Sequence, residues 1–278
     1  MAIIHSEYYS LTRQGNVSFT AVLPIDLPPY GAVPARYQPG PWPALYLLHG
    51  ITGSRTDWLR HTDIEALANR YGCAVIMPDG GNLFYLDNAV TGDNCGEMVG
   101  KELVMITRGM FQLSSKREDT AIGGLSMGGY GAIRNGLNYA GTFGAISAFS
   151  SALLTDDVHS GAIKHTGLPN IPPAYYQHTF GNVGALKGTD RDPAHLASVC
   201  LSRRLCPQLF LACGSEDFLY QNNVKFHEQL LQLGYAHEWW STPGIHDFVF
   251  WNRAVTAALE WWRGKGRAQK EYPNGSEG

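Results

Sequence analysis

A chain of 278 residues with 44% apolar residues and a net charge of −3 fits one large globular unit built on a single core. The slight acidity and the absence of long basic runs argue against nucleic acid as a partner. No apolar run approaches the roughly 18 residues of a membrane span, and Met1 to Glu7 lack the features of a signal peptide, so a cytoplasmic protein is expected.

Strands are predicted over Ile3 to Leu11 and Asn16 to Leu23, joined by a turn at Thr12 to Gly15. Pro24 to Pro43, rich in Pro and Gly, reads as a loop. The pattern then alternates strand and helix. A strand at Leu45 to His49 precedes a helix from Asp63 to Tyr71, which opens on a capping box (Thr62 to Glu65) and closes on Gly72. A strand at Ala74 to Pro78, a loop from Asp79 to Cys95 and a helix from Val99 to Phe111 follow. Thr120 to Gly123 reads as a strand, Gly129 to Leu137 as a helix, and Phe143 to Ser147 as the sixth strand. Ala152 to Pro207 is long and polar, with Pro169, Pro172, Pro173 and Pro193, and reads as an insertion over the C-terminal edge of the sheet. A strand at Gln208 to Gly214, a helix at Leu219 to Leu233, a strand at Ala236 to Ser241 and a helix at Phe248 to Arg263 complete the domain, 1–263. A flexible tail is expected over 264–278. The fold class is α/β, a mostly parallel sheet covered on both faces.

Between the fifth strand and its helix stands Gly124-Leu125-Ser126-Met127-Gly128. A serine in a strand–turn–helix hinge, with glycines two residues to either side, is a nucleophile elbow. An elbow demands an acid, a histidine and an oxyanion loop elsewhere in the chain. Asp217, past the end of the seventh strand, is the first choice for the acid. Glu216 is the alternative, and Asp217 could equally cap the following helix. His246 follows the last strand, and the order Ser126, Asp217, His246 is that of α/β-hydrolases. Two backbone N–H groups must face the developing oxyanion. Met127 supplies one, and the loop His49 to Ser54 the other, at Ile51. His49 itself reads as a hydrogen bonder that holds this loop. Trp58, Phe84 and Tyr85 lie on loops that could line a substrate pocket, although packing is the commoner use of such aromatics.

The five cysteines form no C-x-x-C pair; Cys73 and Cys213 read as buried apolar residues, and Cys200 and Cys206 stand close enough in sequence to meet. The histidines lack ligand spacing, so no metal is expected.

Taken together, His49-Gly50-Ile51-Thr52-Gly53, Asp57-Trp58, Pro78-Asp79-Gly80, the segment Gly124 to Ala132, Gly214 to Phe218 and Pro243 to Asp247 resemble the esterase D family of α/β-hydrolases, and most of all its bacterial tributyrin esterase branch. The resemblance runs from Tyr8 to Trp262. It implies an α/β-hydrolase fold and a serine carboxylesterase for short-chain acyl esters, with Ser126, Asp217 and His246 as triad, Ile51 and Met127 as oxyanion hole and no cofactor. Feruloyl or acetyl-carbohydrate esterases and S-formylglutathione hydrolases belong to the same family. The last usually carry a cysteine where this chain has Thr52-Gly53-Ser54, which counts against a thioester substrate. A hydrolase-like binding protein without turnover is the reading from a different class. The oligomeric state stays open, a homo-oligomer included.

Overall fold

The computed structural model describes residues 1–25, 40–161 and 171–264. Its strands are β1 (Ala2–Ser10), β2 (Gly15–Leu23), β3 (Ala44–Leu48), β4 (Ala74–Pro78), β5 (Thr120–Leu125), β6 (Ala145–Phe149), β7 (Gln208–Gly214) and β8 (Glu238–Thr242). Its α-helices are α1 (Asp57–His61), α2 (Ile64–Tyr71), α3 (Cys95–Glu97), α4 (Leu103–Met110), α5 (Met127–Asn138), α6 (Thr155–Ser160), α7 (Pro173–Phe180), α8 (Pro193–Ser202), α9 (Tyr220–Leu233) and α10 (Phe248–Arg263).

The strands form one sheet in the order β1-β2-β4-β3-β5-β6-β7-β8. β1 and β2 pair antiparallel, and β2 meets β4 antiparallel; all remaining pairs are parallel. Helices cover both faces, which is why β3 to β6 are buried along their whole length. The period-2 alternation of a strand divides the core. Tyr46 and Leu48 face one cluster with α5, α8 and α9, whereas Leu45 and Leu47 face a second cluster with Trp58, α2 and α10. The architecture is an α/β-hydrolase fold.

Several local expectations are corrected. Asp63, which precedes α2, makes no side-chain cap. It pairs instead with Asn252 of α10, giving its N–H to the amide oxygen at 2.9 Å and accepting from the amide nitrogen at 2.8 Å. The Thr62 hydroxyl takes the Ile64 N–H. Gly72 closes the helix in the left-handed region at φ 58°. The continuous helix expected from Val99 is interrupted by a π turn at Met98–Glu102. Two tertiary anchors meet there: the Glu102 carboxylate accepts from Leu11 N–H and from the hydroxyls of Thr12 and Ser10, and Gly100 packs so close to the Tyr139 ring that a Cβ would collide with it. Within the insertion, Pro173 and Pro193 start α7 and α8 rather than breaking structure, because a first-turn proline gives up no helix hydrogen bond. The tail expected after Gly264, and much of the loop from Pro24, lie outside the described residues. All five cysteines are free thiols, Cys200 and Cys206 included. Among the described residues no helix is long and apolar enough to cross a membrane.

Candidate active site

The elbow is built from backbone. Ser126 sits at φ 53° and ψ −118°, a strained conformation for a side chain–bearing residue. Its N–H donates to Phe149 O, and its carbonyl accepts from the N–H groups of Tyr130 and Ala152. A Cβ on Gly128 would lie 2.5 Å from His49 O and 2.6 Å from Leu48 O, and one on Gly124 would lie 2.4 Å from Gly128 O. Only hydrogen fits at either position, so the glycines let the turn close onto the end of β3.

Three side chains from three loops meet at Ser126. The Ser126 hydroxyl and His246 Nε2 are 3.0 Å apart, and His246 Nδ1 lies 2.8 Å from Asp217 Oδ2. A carboxylate only accepts, so Nδ1 carries the proton and Nε2 accepts from the hydroxyl. The other Asp217 oxygen accepts the Leu219 N–H at 2.8 Å. Asp217 therefore bonds both the turn that leads into α9 and the His246 ring. Burial works against ionisation of Asp217, but the hydrogen bond and charge of His246, with Leu219 N–H, hold its carboxyl below the usual carboxylate range. Glu216 is turned elsewhere. It accepts the Gly244 N–H and the Ser215 hydroxyl, locking the β7 loop to the β8 loop that carries His246. A hydroxyl, an imidazole and a buried carboxylate in one hydrogen-bonded line can deprotonate the hydroxyl as it attacks a carbonyl.

The loop after β3 is held by side chains. His49 is buried; its Nε2 accepts Gly80 N–H at 3.0 Å, so its Nδ1 donates to Gly50 O at 2.7 Å. Burial keeps its pKa below the ordinary histidine value, in keeping with a neutral ring. Gly53 N–H also donates to Gly50 O. In a planar trans peptide the N–H points opposite to the C=O, so anchoring Gly50 O fixes the direction of the Ile51 N–H. Among the described residues, neither Ile51 N–H nor Met127 N–H has a hydrogen-bond partner. Met127 opens α5, where N–H groups are left over by the helix.

Trp58, Phe84 and Tyr85 are at most 1% exposed, so their faces serve packing rather than a pocket wall. Trp58 Nε1 donates to Leu48 O at 3.0 Å, and the Tyr85 hydroxyl to His49 O at 3.1 Å, so both brace the end of β3. Phe84 packs on Tyr130 and on Phe180 of α7. Two ring neighbours of His246 escaped the sequence reading. Phe218, about half exposed, lies with its centroid 4.5 Å from the His246 ring, and Trp251 meets that ring edge-on at 4.8 Å. Phe218 directly follows Asp217 in the sequence, which was the available signal; Trp251 lies in the apolar stripe of α10 and looks like any core residue.

The family described as "Putative esterase" matches residues 25–262. The chain belongs to this family. It is 38% identical over 266 residues to an acetyl esterase of Caldicellulosiruptor saccharolyticus, covering 94% of this chain and 98% of the relative. Among solved structures it is similar to FphF of Staphylococcus aureus, a fluorophosphonate-binding serine hydrolase, with a TM-score of 0.81 and 29% identity. It is also similar to an S-formylglutathione hydrolase of the same organism, with a TM-score of 0.79 and 29% identity. Each match covers 94% of this chain and 98% of the other. The protein is a carboxylic ester hydrolase.

Proposed function

We propose that the chain hydrolyses esters of short acyl groups, acetate above all, with Ser126 as nucleophile, His246 as general base and acid, and Asp217 as the group that orients the imidazole. The observation that carries this reading is the unbroken line Ser126–His246–Asp217 at 3.0 and 2.8 Å. His246 takes the Ser126 proton as the oxygen adds to the ester carbonyl. The N–H groups of Ile51 and Met127 receive the oxyanion, and each such donor contributes roughly 3 kcal/mol to the transition state. His246 returns the proton to the departing alcohol, leaving an acyl-Ser126. Water then enters and gives a proton to His246 as its oxygen adds to the acyl carbonyl; the bond to Ser126 Oγ breaks, His246 returns the proton to that oxygen, and the acid leaves. The acetyl esterase relative supports a small acyl group, as does the 4% exposure of Ser126, which leaves only a narrow approach.

The test is a series of p-nitrophenyl esters from acetyl to octanoyl, with methyl ferulate and S-formylglutathione alongside. Rates should peak at two to four acyl carbons. Ser126→Ala and His246→Ala should each lower kcat by about 10⁴-fold or more, and Ser126→Ala should also abolish fluorophosphonate labelling. Retention of most ester turnover in either variant would remove the nucleophile–base assignment. Faster turnover of S-formylglutathione than of any oxygen ester would replace the short-chain ester reading with a thioesterase.

A further inference from the structure

The loop after β3 leans at its middle on one exposed side chain. Thr52, directly after the Ile51 donor, stands at φ 62°, a region a β-branched residue rarely occupies. Its N–H donates to the side-chain oxygen of Asn82 at 2.7 Å. The same residue is gripped from the other side, where the Tyr175 hydroxyl of α7 donates to the Asn82 carbonyl at 2.6 Å. Tyr175 is a fixed donor: burial pushes its phenol up to about 12, so it keeps its proton at any working pH. A chain of hydrogen bonds thus runs from the insertion, through Asn82, to the peptide beside the Ile51 N–H. His49 holds the near side of that donor through Gly50 O, and Asn82 holds the far side through Thr52 N–H.

Building on the proposed Ser126 esterase mechanism, we propose that Asn82 is a positioning residue of the oxyanion hole, and that Tyr175 of the insertion sets its place. Thr52 has little intrinsic preference for its observed backbone conformation, so without the Asn82 acceptor the Ile51–Thr52 peptide relaxes and the adjoining Gly50–Ile51 peptide, which His49 then holds from one side alone, shifts the Ile51 N–H from its place. The insertion then carries part of the catalytic geometry, not only a pocket wall. A donor misdirected in this way weakens the transition state while leaving substrate binding nearly intact.

The test uses Asn82→Ala and Tyr175→Phe, with Asn88→Ala as control. Asn88 also ties its loop to α7, donating its side-chain N–H to His178 O at 3.1 Å, but it does not touch the β3 loop. With p-nitrophenyl acetate, Asn82→Ala should lower kcat about tenfold with KM changed less than twofold, and Tyr175→Phe should lower it about threefold. The affinity of a phenylboronic acid, whose adduct on Ser126 places an oxygen in the oxyanion hole, should fall by the same factors. Asn88→Ala should change neither. Asn82 is exposed, so its variant should keep the wild-type melting temperature. Full kcat in Asn82→Ala would overturn the proposal, as would a kcat loss with unchanged boronic acid affinity or an equal loss in Asn88→Ala. The parent reading fails separately: it falls if Ser126→Ala remains active, whatever Asn82→Ala does.

Discussion

The elbow and the loop after β3 face each other across the same small volume, yet they are held in opposite ways. The closest contacts that shape the elbow turn are with backbone: Gly128 against Leu48 O and His49 O, Gly124 against Gly128 O, Ser126 N–H on Phe149 O. The loop is held by side chains. His49 bonds Gly50 O and Gly80 N–H, Asn82 holds Thr52 N–H, Asp57 takes Ser54 N–H, and Asp79 takes Arg55 N–H. Backbone contacts between packed elements cannot give way locally, whereas a side-chain bond can be lost one at a time. Substitutions at the elbow should therefore act as a switch, and substitutions in the loop should act by degrees.

Gly128→Ala tests the first half. Its new Cβ would sit within 2.6 Å of two main-chain oxygens, so either the elbow or the end of β3 must move. We expect p-nitrophenyl acetate turnover to fall on the order of 10³-fold, since misplacement by about an ångström already costs about 10²-fold. Retention of more than a tenth of the activity would mean that the elbow yields as the loop does. His49→Ala tests the second half. It removes the bonds to Gly50 O and Gly80 N–H together, and kcat should fall about 10²-fold, close to the loss of one oxyanion donor. A loss as deep as that of Ser126→Ala would instead give His49 a part in the chemistry.

The same division explains what could be read from the sequence. Gly124, Ser126 and Gly128 are fixed by local sterics, so their spacing announces the elbow. Asp217 and His246 follow from chain order, because strand ends in a parallel sheet converge on one edge. Two of the bonds that hold the loop, Thr52 to Asn82 and His49 to Gly80, join residues about 30 positions apart, and no local pattern encodes which of these pairs meet. Trp58, Phe84 and Tyr85 sit at strand ends as pocket residues do, but at most 1% of each is exposed, and burial is a property of the assembled layers. The helices of the insertion were missed because their prolines read as breaks, while both mark first turns.

The side-chain character of the loop has a consequence in acid. Burial holds the folded His49 below its ordinary pKa of 6.5. Below pH 6.5 the unfolded chain takes up a proton that folded His49 refuses, so the native state loses stability as pH falls from 6.5 toward the folded value. Below the folded value the ring is charged in both states and this loss stops growing. Once protonated, Nε2 can no longer accept from Gly80 N–H, so the clamp opens as the stability is lost. Gln at this position keeps a donor and an acceptor but does not titrate. His49→Gln should be less stable than wild type at pH 7, yet between pH 7 and pH 5 the wild-type melting temperature is expected to fall further than that of His49→Gln. Gly128→Ala adds and removes no ionisable group, so its melting curve should run parallel to wild type over the same range. Parallel curves for all three proteins would show that His49 titrates alike in folded and unfolded chains, and that the loop, like the elbow, does not depend on a neutral imidazole.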